Sequence, residues 1–148
     1  MDRVRVFAAF DTRHDADLHA QLARQCEAEG SPLCVVDASR PGAESFGAEP
    51  SLRARIADVD FVVVLCGEQT ASAAGVAEEL RIARELGKPY LLLRGRRHVE
   101  CTVPASAGPD DAVYTGSWPA VTSQIGVVMR RSAAAAAKRG TQAHPPPA

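Results

Sequence analysis

The sequence predicts a three-layer α/β domain, with a central parallel sheet of four to five strands and helices on both faces. Three observations carry this expectation. Strand-type and helix-type segments alternate about four times along the chain. The run DFVVVLC at residues 60–66 is apolar without polar alternation, which marks a strand covered on both faces. Two helical stretches close on glycine, at Gly30 and Gly87, as helices leading into strands commonly do.

Residues 4–10 (VRVFAAF) alternate, then run apolar up to Asp11, and read as the first strand. Residues 14–29 carry Leu18, Leu22 and Cys26 four apart, one stripe of a helix. LCVVD at residues 33–37 is a short second strand. Pro41, Gly42 and Gly47 make residues 39–47 a loop. Pro50 suits a first helical turn, and Leu52, Ile56 and Val59 follow at helical spacing. After the third strand at 60–66, a helix spans 72–86, and YLLL at 90–93 is another buried strand. Beyond Arg94 the pattern weakens. Residues 113–114 form a short fifth strand, and 118–131 a last helix with Val121, Ile125 and Val128 on one side. One domain therefore covers residues 1–131, and the Ala- and Pro-rich residues 132–148 read as a frayed or disordered tail.

The composition narrows the function classes. A chain of 148 residues holds one domain, and 46% hydrophobic with 24% charged residues is the balance of a soluble globule. A net charge of -1 speaks against a binder of nucleic-acid phosphates. No apolar run approaches the ~20 residues of a membrane helix. The opening MDRVRVFAAFD lacks the apolar core and cleavage site of a secretory leader, so the cytoplasm is the expected location. Cys26, Cys34, Cys66 and Cys101 include no CxxC pair and read as reduced, mostly buried thiols. His98 and Cys101 supply half a metal site with no second half, so no metal is expected.

In a parallel sheet, ligands gather at the carboxyl ends of the strands, where the strand order reverses. That points to residues 10–17, 37–40, 66–75, 94–101 and 116–118. The first of these turns has no glycine, which excludes a dinucleotide-binding GxGxxG loop. Asp11, Asp15 and Asp17 would repel a flavin phosphate there. A phosphate-accepting receiver domain needs an aspartate at the end of the third strand, where Cys66 stands. There is no GxSxG elbow and no P-loop.

The helix at 72–86 holds the sharpest feature. At ~100° per residue, with Val76 at zero, Leu80, Ala83, Leu86 and Ile82 share one face, and Glu78, Arg81 and Glu85 share the opposite one. Glu79 falls at about 300°, inside the apolar stripe. A buried carboxylate is costly unless it is paired or used. It turns aside at the edge of the stripe, pairs with an arginine such as Arg13 or Arg94, or forms the floor of a small-molecule site. There it could bind ribose hydroxyls, stabilise an oxocarbenium-like anomeric carbon or attack that carbon.

Other groups border the same crevice. Phe10 stacks on a base or nicotinamide, or is simply core. Asp11 orients a ribose or an amide, or caps a helix. Arg13 meets a pyrophosphate, or stays solvated. Arg94 is the best phosphate candidate of the cluster Arg94, Arg96 and Arg97, with a ligand-free basic surface as the alternative. Ser72 and Thr70 compete for the helix N-cap, beside N–H groups able to hold an anion. Trp118 either walls the site or packs the last helix, and packing is the favoured reading.

At residues 59–70 (VDFVVVLCGEQT), 75–90 (GVAEELRIARELGKPY) and 91–95 (LLLRG) the chain resembles the TIR-like domains, and more narrowly those of Thoeris anti-phage systems. RVFAAFD at 5–11, HDADL at 14–18, RARI at 53–56 and Trp118 also fit, so the likeness spans about residues 3–130. The resemblance implies a flavodoxin-like TIR fold and cleavage of the nicotinamide–ribose bond, with NAD as substrate and no required cofactor. It also implies a cyclic ADP-ribose-type signal, an effector protein switched on by that product, and assembly as a homo-oligomer. The glutamate such enzymes use falls on Glu79.

Many TIR enzymes carry an aromatic residue where Ala74 and Gly75 stand; a glycine there exposes backbone for close ligand approach but removes a stacking surface. That departure favours the alternative of a non-catalytic nucleotide-binding or protein-interaction module. Nucleoside 2-deoxyribosyltransferases also resemble this stretch, with a helical glutamate as nucleophile, although Cys66 replaces the acidic residue they usually hold at the preceding strand end.

Overall fold

The computed structural model describes residues 3–40 and 49–143. Its core is a five-stranded, all-parallel sheet in the order β2-β1-β3-β4-β5, the flavodoxin-like arrangement. The strands are β1 (Val4–Ala9), β2 (Leu33–Ala38), β3 (Phe61–Cys66), β4 (Tyr90–Arg94) and β5 (Val113–Thr115). The helices are α1 (Ala16–Glu27), α2 (Glu49–Ala57), α3 (Ala74–Glu85) and α4 (Trp118–Ala143).

Side-chain alternation on the strands builds two cores. Val6, Ala8, Phe10, Phe61, Val63, Leu65, Leu91 and Leu93 pack with α1 and α4. Phe7, Ala9, Val62, Val64 and Leu92 pack with α2 and α3. Every residue of β3 is buried, as its unbroken apolar run requires. Gly30 and Gly87 adopt φ of +80° and +69°, the left-handed conformation that ends α1 and α3.

Several boundaries differ from the sequence reading; α1 is two residues shorter at each end than the expected 14–29. The predicted helix at 72–86 divides into a 3-10 turn, Thr70–Ser72, and α3. Leu86 leaves the apolar face and stands 36% exposed just past the helix. The last helix does not stop at Arg131 but runs on through Ala143. Val121 and Ile125 anchor its first half in the core, and the alanines at 133–137, the strongest helix formers, carry it onward. This replaces the expected frayed tail over residues 132–143. The rest of that tail, and residues 41–47 of the expected loop, lie outside the described residues.

The strand order reverses between β1 and β3. The chain moves outward from β1 to β2, then returns across β1 to β3. The connections after β1 and β3 therefore leave on opposite sides and open a crevice at the carboxyl ends of the strands.

Candidate functional site

A cleft of about 410 Å³ occupies that crevice, within the ~300–1,000 Å³ usual for small-molecule sites. The end of β1 contributes residues 10–14, the end of β2 contributes Ser39 and Arg40, and the start of α3 contributes residues 72–76 and Glu79.

Glu79 is 0% exposed, on the α3 face that also buries Val76, Leu80, Ile82 and Ala83. Its backbone position is thus fixed by four apolar neighbours on the same helix. Ser39 meets it from β2. The Ser39 hydroxyl donates to Glu79 Oε1 at 2.5 Å. Ser39 is itself locked to β1 by two bonds. Its N–H donates to Ala8 O at 3.0 Å, and its Oγ accepts from Phe10 N–H at 2.9 Å.

A cation supports this corner from behind. Arg55 of α2 makes a two-pronged pair with Asp37 of β2, both bonds 2.7 Å, and donates to Ala38 O at 2.6 Å. Its guanidinium lies over the Phe7 ring, 5.4 Å from the centroid. The Asp37 hydrogen bonds raise the Arg55 pKa, and the Glu79 carboxylate adds to that field. In return, the bonds from Arg55 hold the Asp37 carboxyl below its ordinary 3.8.

The opposite wall is the turn after β1. Asp11 Oδ1 accepts from Arg13 N–H at 3.0 Å, and Oδ2 lies 2.7 Å from His14 Nδ1. Both carboxylate oxygens are thus engaged within the turn. Arg96 clamps the turn by donating to His14 O at 3.1 Å, to Asp15 Oδ1 at 3.1 Å and to both oxygens of Asp17. Asp15 is 1% exposed, and burial raises its pKa against the opposing pull of Arg96.

Of the residues singled out in the sequence, the structure brings Glu79, Phe10, Asp11, Arg13, Ser72 and Gly75 to one cleft. Phe10 lines it but is only 6% exposed and stacks on His19 at 4.7 Å, so one ring face is taken. Arg13 is exposed at the rim. Ser72 lines the cleft without capping α3: the N-cap position is Ala73, and no side chain bonds to it. Thr70 Oγ1 accepts from Gly67 N–H instead. Arg94 does not join the cleft. It ends β4, on the far side of β3 from β1, and borders a hollow with Leu18, Leu22 and Gly116. Among the described residues, the hydrogen bond to Glu79 comes from Ser39 and not from Arg13 or Arg94. Trp118 packs against the core, as expected.

Sequence reasoning pointed at residues 37–40 but singled out no side chain there, and so missed Ser39 and Arg40. It also missed His14 among the residues lining the cleft, although its spacing from Asp11 suits a turn. All four cysteines are free, and burial pushes Cys66 up to about 12, which keeps that thiol protonated. Among the described residues, no helix is long and apolar enough to cross a membrane.

The fold and cleft together define an α/β domain with a carboxylate buried at the switch point of a parallel sheet. No protein-family model matches the chain, and comparison with curated proteins found no match.

Proposed function

We propose that the chain cleaves the bond between nicotinamide and ribose in NAD, passing the ADP-ribose group to water or to one of its own hydroxyls. The observation that carries this reading is the fully buried Glu79 at the floor of the switch-point cleft, oriented by the Ser39 hydroxyl. When a pyridinium base leaves, it departs as neutral nicotinamide and needs no acid. Positive charge builds instead on the ribose C1′, and a fixed carboxylate beside that carbon stabilises it. Placing Glu79 in a water-poor site before substrate arrives makes that stabilisation effective, because no solvent has to reorganise.

The rim suits the rest of the substrate. Arg13 and Arg40 flank the opening, where a pyrophosphate would lie. NAD is the substrate, and the chemistry calls for no separate cofactor. The resemblance to the TIR-like domains of Thoeris systems supports the same reaction. With it come a cyclic ADP-ribose-type product, an effector protein that answers to it in anti-phage defence, self-assembly of the chain and a cytoplasmic setting.

A nucleotide-binding module without turnover is the second reading. Ala73, Ala74 and Gly75 favour it, since they give that wall of the cleft no aromatic surface. Incubation with NAD, following nicotinamide release and product mass for wild type and Glu79→Gln, separates the two. The proposed reaction requires release by wild type and its loss in the variant. Binding of NAD without release by either chain supports the module.

A further inference from the structure

We infer that His14, oriented by Asp11, is the base that takes the proton from the hydroxyl attacking the ribose in this cleft. The inference rests on the glycosidic reading above and adds a residue to it. Two requirements of that reaction are unequal. Breaking the C1′–N bond sends its electron pair to the departing nicotinamide, and no proton moves. Forming the new C1′–O bond breaks an O–H bond, and that proton needs an acceptor. Glu79 is bonded to Ser39 on the floor and is occupied with the charge at C1′.

His14 meets the requirement on the opposite wall. It lines the same cleft as Glu79. Its Nδ1 lies 2.7 Å from Asp11 Oδ2, and a carboxylate can only accept, so Nδ1 carries the hydrogen. In the neutral ring Nε2 is then left with a free lone pair, the tautomer a base needs. Asp11 is 8% exposed and pinned by the Arg13 N–H, so the orienting group is fixed. The ring's own backbone is held twice, by the bond from His14 N–H to Asp11 O and by Arg96 on His14 O. The His14 side chain is 54% exposed, which lets the proton pass on to water after transfer. A nucleophile or base ordered by a third group is the recurrent form of such machinery.

The test compares two acceptors for the same ADP-ribosyl group. A hydroxyl acceptor must lose a proton. A pyridine base, such as 3-acetylpyridine, attacks through its nitrogen lone pair and loses none. Wild type, His14→Gln and Glu79→Gln are each given NAD, with and without 3-acetylpyridine. Nicotinamide release to water or hydroxyl and formation of the exchanged dinucleotide are then measured. His14→Gln is expected to lose about 100-fold or more of the first reaction, with the second reduced less than about threefold, and to melt with wild type. Its intact exchange reports an intact fold. Glu79→Gln is expected to lose both. Equal loss or equal retention of both reactions in His14→Gln, at an unchanged melting temperature, overturns the role of His14 alone. Both reactions running in Glu79→Gln at wild-type rates, or neither running in wild type, overturns the glycosidic reading itself.

Discussion

The Ser39 hydroxyl donates to Glu79 Oε1 at 2.5 Å and accepts the Phe10 N–H at 2.9 Å, which ties the floor of the cleft to the ends of β1 and β2. A hydrogen bond to a charged group contributes about 1.5–3 kcal/mol. If that bond holds Glu79 in its working position, Ser39→Ala lowers kcat for NAD roughly tenfold to hundredfold and changes KM little. Ser39→Thr keeps the hydroxyl and restores most of the rate. A kcat unchanged by Ser39→Ala removes the positioning role.

Glu79 can be tested for stability apart from activity. Removing one member of a buried structural ion pair costs about 3–5 kcal/mol, whereas a charge kept for function is often dispensable to the fold. Glu79→Met keeps the side-chain length in the apolar stripe of Val76, Leu80 and Ala83. The variant is expected to unfold within about 1 kcal/mol of wild type, or above it, in denaturant titrations. A loss of about 3 kcal/mol or more assigns Glu79 to a structural pair.

The pair Asp37–Arg55 gives the protein a pH signature. Its carboxylate is held below 3.8 in the folded chain, first by the Arg55 hydrogen bonds. A depressed pKa stabilises the fold fully above the unfolded value and loses that contribution as pH falls through the folded one. With 16% and 18% side-chain exposure, Asp37→Asn should cost about 1–3 kcal/mol at pH 7, between the exposed and the buried limits. Stability measured from pH 7 downward should show that gap closing in the range below about 4, as the wild-type carboxylate protonates. Parallel curves contradict this.

Gly67 closes against Asp15 so tightly that a Cβ there would overlap the carboxylate, which Arg96 and burial keep from moving aside. Gly67→Ala is expected to cost about 1–3 kcal/mol by overpacking. In an Asp15→Ala background the same change should cost much less, a coupling that a double-mutant cycle reads directly. Additive effects place the strain elsewhere.

The fold was legible because its signals are local and repeated. The VVVL run of β3, the Leu18–Leu22–Cys26 stripe and the glycines after α1 and α3 each report their own element. Glu79 was legible for the same reason, as one charge out of phase with a helix period. Ser39 was not, because a small hydroxyl in a loop disturbs no pattern. Its importance arises only when β2 pairs with β1 and α3 packs onto that sheet, which brings residues 40 positions apart into contact. Arg94 misled because closeness to a strand end says nothing about which strand neighbours the cleft; strand order decides that, and β4 lies one strand too far. The end of the last helix was misplaced because polar and alanine-rich sequence was read as unstructured, whereas a helix already anchored in the core propagates cheaply through alanine.

The role of Glu79 is decided by the rate of nicotinamide release from wild type and Glu79→Gln at matched NAD occupancy, with occupancy fixed for each chain by calorimetry. Wild type is expected to release nicotinamide, and the variant to fall by at least about 100-fold with binding largely retained, the pattern of a group that acts on the transition state. Equal rates from the two chains at equal occupancy would contradict it.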